Sequence, residues 1–317
     1  MIAALRILVI LGLLLGGLAP CQALAESEDL GTMPPVSRKF VENKLRRERF
    51  SKGFVDVLLK TYEDRSFETV VELNVLLYLK KSDYHGPQVS SPAVDEVLRF
   101  MKKQDSNLRA AEKRYGVDRN VIASLLWIES RLGKNAGNFH VPSVYLHLIQ
   151  APRVSVQKFL MKRAIKYRPE ISAEDHREIV ARTHRKADWA IGELRALERV
   201  HRWNWKVDRT FRGSFSGAFG WPQFLPSSYV KWARAKHPKR QPDLTKPQDS
   251  IFSVAYYLKD HGWKNVDREK QLQALYKYNN SWDYAKAILE LGERVSEQRI
   301  ALEGGSQTRR TKDSQPL

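Results

Sequence analysis

The run Val121 to Ile128 is apolar except for Ser124, and it ends on a glutamate, Glu129, with Gly133 four residues further on. A helix with so little polar surface has to be buried, so the rest of the fold must be built around it. A carboxylate at its end is costly unless it has a partner or a task. Burial against Leu125, Leu126 and Ile128 would disfavour the charged form. The negative end of the helix dipole would do the same if the helix stops near Gly133. Both effects raise a carboxyl pKa, which is what a general acid working near neutral pH needs. Taken alone, the segment fits equally well a helix-end glutamate that points into water, as most glutamates do.

The first 25 residues read as a leader. Arg6 is their only charge, Ile7 to Ala19 is almost wholly apolar, and Ala23-Leu24-Ala25 offers a small-x-small cleavage site before Glu26. That is the layout of a secretory signal peptide, and the apolar run is short for a membrane span. Pro20, placed before Cys21, argues against a lipid anchor there. Cys21 is the only cysteine, so cleavage after Ala25 leaves a chain without thiol or disulfide chemistry. An apolar core must hold it, and about 290 residues can supply one. The net charge is +18, which favours an anionic partner. Export argues against nucleic acid, and the basic residues alternate with acids instead of forming a block. An anionic cell-envelope polymer fits both observations, as does a merely well-solvated basic surface.

Ser27 to Val36 reads as a linker, and Lys39 to Tyr62 is helical in pattern, with Phe54, Val55, Leu58 and Leu59 on one face. Glu68 to Leu79 is apolar and of open type, and Asp83 to Pro92 reads as a loop. Pro92 to Tyr115 predicts a long helix ending at Gly116, and Asp118 suits an N-cap for the Glu129 helix. Asn135 to Pro152 is less regular. Val154 to Tyr167 and Ser172 to Arg202 read as helices, the second opened by a Ser172/Asp175 capping box. Arg212 to Ser228 and Pro238 to Pro247 read as loops. Gln248 to His261, Lys270 to Tyr278 and Trp282 to Val295 predict the last helices, with disorder from about Glu303. Clear alternating strand patterns are absent, so the fold class is mainly α with at most a small sheet.

Three further segments carry chemistry. Gly213 to Tyr229 joins three glycines to aromatics and the amide of Gln223, which suits the apolar faces and polar rims of a sugar; a glycine turn buried by aromatics fits as well. Ser253 to Trp263 places tyrosines on a helix face, a pattern common to cores. Tyr278 to Tyr284 could pin a substrate amide or cap a helix.

In this order the four segments resemble the membrane-bound lytic murein transglycosylase B family of the lysozyme-like superfamily. The residues that carry the likeness are Tyr115-Gly116-Val117, Ile128 to Gly133, Gly213 to Gly220 with Gln223 to Ser228, Val254 to Trp263, and Tyr278 to Ser281. It covers roughly residues 36 to 300. It implies an α+β lysozyme-like helical core over 101–302 with a helical insertion at about 153–205, an N-terminal helical region over 26–100, and a disordered tail over 303–317. It also implies a periplasmic, monomeric enzyme without cofactor, weakly associated with membrane or envelope. Such an enzyme would cleave peptidoglycan glycan strands between N-acetylmuramic acid and N-acetylglucosamine and close a 1,6-anhydro ring. Glu129 matches the catalytic glutamate, and Ser214, Gln223, Tyr257, Tyr278, Asn279 and Tyr284 match positions that line the sugar groove. Most glycosidases need two carboxyl groups, substrate-assisted ones excepted. The matched motifs hold no obvious second acid, since Asp283 reads as a helix-start residue. A hydrolytic muramidase and a non-catalytic peptidoglycan-binding protein are the alternatives. One departure is plain. Better-known relatives carry an EF-hand-like calcium loop after Pro-Ser-Ser-Tyr, whereas Ala235 to Asp243 lacks the repeated oxygen ligands calcium needs, and no metal is expected there. His140 is expected to pack within its loop.

Overall fold

The computed structural model describes residues 31–80, 89–203 and 208–312. The leader and the Gly86-Pro87 turn lie outside these residues. Thirteen α-helices and one two-stranded sheet form among them.

The stretch expected as one helix from Lys39 to Tyr62 is two, α1 (Arg38–Arg47) and α2 (Lys52–Thr61). Arg49 turns the chain with φ +59°. Ser51 then gives its backbone N–H and hydroxyl to the Glu198 carboxylate at 2.9 and 2.6 Å. Phe50, in the turn, and Phe54, in α2, both enter the core, and their ring centroids lie 6.0 Å apart. The apolar segment that follows is α3 (Phe67–Leu76), which tightens into a 3₁₀ turn over Leu77–Leu79. Pro92 to Tyr115 likewise divides into α4 (Ser91–Lys103) and α5 (Asp105–Tyr115). They meet at Gln104, inside a polar run with no apolar anchor. Gly116 closes α5 at φ +69°. Asp118 accepts from the Asn120 N–H at 2.7 Å and caps α6 (Arg119–Ser130).

From Asn120 to Ser130 every residue of α6 is buried, as its apolar sequence requires. Strand β1 (Phe139–His140) pairs antiparallel with β2 (Arg212–Gly213), so the sheet is as small as expected. Directly after β1 comes α7 (Val141–Leu148), all eight residues buried. The sequence reading left this stretch irregular, because a helix that is apolar on every side shows no 3.6-residue alternation. The chain continues through α8 (Val154–Ala164) and α9 (Ala173–Arg202), and α9 is opened by the capping box that Ser172 and Asp175 predicted. Residues of α3 (Phe67, Val71, Val75), α8 (Phe159, Leu160) and α9 (Ile179) make a satellite core beside the main one.

The segment 212–228 is not a free loop. Bridges Gly213–Phe219 and Phe219–Phe224 fold it into a tight ladder, and α10 (Pro226–Trp232) follows. Glu193 of α9 accepts the N–H and hydroxyl of Ser227 at 2.9 and 2.8 Å, which fixes the start of α10. The last three helices are α11 (Pro247–Asp260), α12 (Arg268–Asn279) and α13 (Trp282–Lys312). Helix α13 runs past Val295, where the apolar pattern fades, and packs along α6, α4 and α12. Among the described residues no helix is long and apolar enough to cross a membrane.

Candidate active site

Glu129 sits in the last turn of α6 and is 9 % exposed. The helix ends directly after it, since Arg131 and Leu132 adopt φ of +51° and +57° and Gly133 follows at +85°. Two contacts hold this end in place. The Ser130 hydroxyl donates to the Trp221 carbonyl at 2.8 Å and accepts from the Gly133 N–H at 3.0 Å. The Trp221 indole lies so close over Gly133 that a Cβ there would sit 2.2 Å from it. Arg131 stacks its guanidinium 3.6 Å above the Trp127 ring, and the Trp127 indole donates to Glu96 at 2.9 Å.

The Glu129 carboxyl meets α13. Tyr284, wholly buried in the first turn of that helix, donates its hydroxyl to Glu129 Oε1. From Tyr284 a row of rings leads away. Tyr278 lies parallel to it at 6.4 Å, and Tyr257 meets Tyr278 edge-on at 4.7 Å. The Tyr278 hydroxyl donates to the Pro222 carbonyl at 2.6 Å, and that of Tyr257 to the Lys277 carbonyl at 2.7 Å. The Tyr257 ring stacks on His261 at 3.9 Å. Burial lowers the His261 pKa, against the pull of its hydrogen bond to the Tyr257 carbonyl.

The ladder loop is held from several sides. Gln223, at φ +49°, donates its amide to the Gly220 and Ala136 carbonyls at 2.8 and 3.1 Å. The buried Ser214 hydroxyl accepts from the Ser216 and Ala218 N–H groups at 3.3 and 3.1 Å. Asn279 closes α12 and is 6 % exposed. Tyr284, Tyr278 and Tyr257 therefore form one row of rings leading from Glu129, and the Tyr278 hydroxyl ties that row to the ladder loop at Pro222, next to Gln223. The Ser214 hydroxyl is turned onto its own loop. Asp283 is exposed in the first turn of α13, as a helix-start acid should be. His140 packs as expected, with Nδ1 on Ser143 at 2.7 Å and Nε2 on the Asp208 carbonyl at 3.0 Å.

Sequence reasoning missed two supports. Tyr145 of α7 donates to the Gly217 carbonyl at 2.9 Å, and its ring occupies the space a Gly217 side chain would need. Asn74 of α3 donates to the Phe215 carbonyl at 2.9 Å and accepts from the Ser216 hydroxyl at 3.3 Å. Neither has a sequence signal, because each partner lies far along the chain.

The segment expected to lack calcium ligands is organised around Asp249, whose side chain is fully buried. Arg240 donates one nitrogen to each carboxylate oxygen at 2.7 Å. The N–H groups of Lys236 and Asp243 add 3.1 and 2.8 Å contacts. Asp243 is taken up by the Thr245 N–H and hydroxyl at 2.9 and 2.6 Å. With these oxygens already met by protein donors, the arrangement does not fit a hard cation.

The transglycosylase SLT domain family matches residues 35–270. The membrane-bound lytic murein transglycosylase B of Escherichia coli (strain K12) is 27 % identical over 185 residues. That alignment takes in 58 % of this chain and 43 % of the relative, so the chain spans less than half the length of the curated relative it matches. Among solved structures, the soluble lytic transglycosylase SltB1 of Pseudomonas aeruginosa superposes with a TM-score of 0.62 at 20 % identity, covering 83 % of this chain and 98 % of that one. SltB3 of the same organism, in complex with NAG-anhNAM-pentapeptide, gives a TM-score of 0.58 at 17 % identity, covering 82 % and 78 %. These two show the shared fold. The family match runs from α1 to the start of α12 and includes Glu129 and its helix, and the chain belongs to the transglycosylase SLT domain family.

Proposed function

We propose that this chain is an exported, periplasmic lytic transglycosylase, acting as a monomer, that cleaves the β-1,4 bond between N-acetylmuramic acid and N-acetylglucosamine and leaves a 1,6-anhydro end. The observation that carries the reading is the buried Glu129 carboxyl at the end of α6, held by the Tyr284 hydroxyl. Glu129 protonates the bridging oxygen as the C1–O bond breaks. The muramoyl N-acetyl oxygen stabilises C1 in place of a second carboxylate. Glu129, now charged, takes the proton of the C6 hydroxyl as that oxygen bonds to C1, and the acid is restored. The linked rings of Tyr257 and Tyr278, with Gln223 on the adjoining ladder loop, support this, since holding C6–OH near C1 and keeping water away decides ring closure over hydrolysis. Asn279 completes the sugar-binding set by offering its amide to the acetamido group, while the Ser214 hydroxyl holds the ladder loop in shape. Tyr284 acts on the acid itself.

Mass spectrometry of products from purified sacculi tests the proposal. An anhydro end is one water lighter than a reducing end. Reducing ends alone would replace this reading with a hydrolytic muramidase.

A further inference from the structure

Arg182 and Lys186 stand one turn apart on α9, both only partly exposed. Like charges at this spacing repel, and among the described residues no carboxylate pairs with Lys186. Several partly buried arginines meet carboxylates: Arg163 meets Glu68 and Glu72, Arg212 meets Glu63, and Arg240 meets Asp249. Arg182 spends its donors on the α3 carbonyls of Val75 and Asn74, at 3.0 and 3.4 Å. Lys186 has only the Trp189 ring, 4.9 Å from its Nζ. Burial, and after it the Arg182 charge, lowers the Lys186 pKa to about 8.

The place of this cation gives it meaning. Asn74, on which Arg182 rests, is the residue that holds Phe215 and Ser216 of the ladder loop. Trp189 meets Tyr145 edge-on at 5.7 Å, and Tyr145 holds Gly217 of the same loop. Glu193, one turn further, fixes Ser227 where that loop ends. The stripe Arg182, Lys186, Trp189, Glu193 thus runs beside the segment 214–227, with a cation and a part-exposed indole side by side.

We propose that Lys186 and Trp189 form a further subsite for a carboxylate carried on the C3 side arm of a muramoyl sugar bound beside Glu129. Lys186 takes the carboxylate and Trp189 the apolar part of the arm. This rests on the reading of the site as a peptidoglycan groove, and it adds that the enzyme distinguishes strands by their acidic arms. The arm's carboxylate can be the free lactyl group or belong to an appended peptide.

The test is a ratio of affinities, measured on the full chain carrying Glu129→Gln so that nothing turns over. Three oligosaccharides of equal length are titrated: one of N-acetylglucosamine only, one with free lactyl arms, one with peptide arms. At least one acidic ligand should bind about tenfold tighter than the neutral one, about 1.4 kcal/mol, the scale of one charge-assisted contact. The arm that shows the gain identifies the source. Lys186→Gln should remove the preference and Lys186→Arg should keep it within about twofold, because the positive charge is retained. No preference at the start, or the same ratio in Lys186→Gln, overturns the subsite. Added salt should weaken the acidic ligand more than the neutral one, and an equal effect on both would count against it. Product analysis with Glu129 intact reads the catalytic proposal separately, so either can fail alone.

Discussion

Tyr284 donates its hydroxyl to the Glu129 carboxyl across 155 positions of sequence, joining the first turn of α13 to the last turn of α6. A buried tyrosine with such a partner does two things. It fixes the rotation of the acid, and it stabilises the carboxylate that forms when the proton leaves. Tyr284→Phe keeps the ring and its packing. It should lower kcat by about 10- to 100-fold, the worth of one hydrogen bond to a charged group, about 1.5–3 kcal/mol. KM should move little, since the hydroxyl faces the acid and not the sugar. A variant in which KM rises while kcat holds would return Tyr284 to the sugar groove.

Glu129→Gln keeps the size and some hydrogen bonding of the side chain but supplies no acid. Its turnover should fall by at least about 10³-fold, within the range for loss of a general acid–base group. Its binding to sacculi in a pull-down should persist. Undiminished turnover would remove Glu129 from the chemistry.

How much of this was legible in the sequence depends on how far each cause reaches. Asp118, Gly116 and the Ser172/Asp175 box act within one turn, and they set the helix ends as expected. Helix α7 was hidden because burial on every side removes the periodic signal that reveals amphipathic helices. The breaks at Arg49 and Gln104 follow from what the flanking helices pack against, which local preference does not record. At the site, the resemblance named candidate residues but could not name their partners. Tyr284 was expected on the sugar and lies on the acid, and the Ser214 hydroxyl faces its own loop.

Gly133 should tolerate no side chain. Its φ of +85° is one L-residues avoid, and a Cβ would lie 2.2 Å from the Trp221 indole. Gly133→Ala should cost about 2–5 kcal/mol, combining backbone strain and overpacking, read as a shift in the urea midpoint. Because Trp221 also anchors Ser130, the residue after Glu129, activity should fall even where the variant remains folded.

Arg240 neutralises a buried carboxylate, so Arg240→Gln leaves Asp249 without its cation. The loss should be about 2–4 kcal/mol, toward the low end for a broken buried pair because Arg240 is itself 40 % exposed. A chelator, or millimolar calcium, should leave the melting temperature of the unaltered protein unchanged. A rise in melting temperature with calcium would show that the 233–249 segment still takes the ion.

Acid should loosen the contact between α7 and the N-terminal helices. His147 is buried between the Tyr62 and Phe67 rings. Its Nδ1 is 2.9 Å from the Tyr62 hydroxyl, which in turn accepts from the Gln150 amide at 2.7 Å. Tyr62 therefore donates to Nδ1, and a neutral ring is required. Burial lowers the His147 pKa from 6.5 to about 3. The unfolded chain takes up this proton below pH 6.5 while the folded one refuses it until about pH 3. Stability is therefore full above pH 6.5 and falls as pH drops through that window, by at most about 1.4 kcal/mol per unit, or about 2 kcal/mol at pH 5. His147→Asn should be less stable at neutral pH by about 1–3 kcal/mol, from broken hydrogen bonds. It should also lose this one-proton slope between pH 6.5 and 5 in urea midpoints. An unchanged slope would place the titration elsewhere.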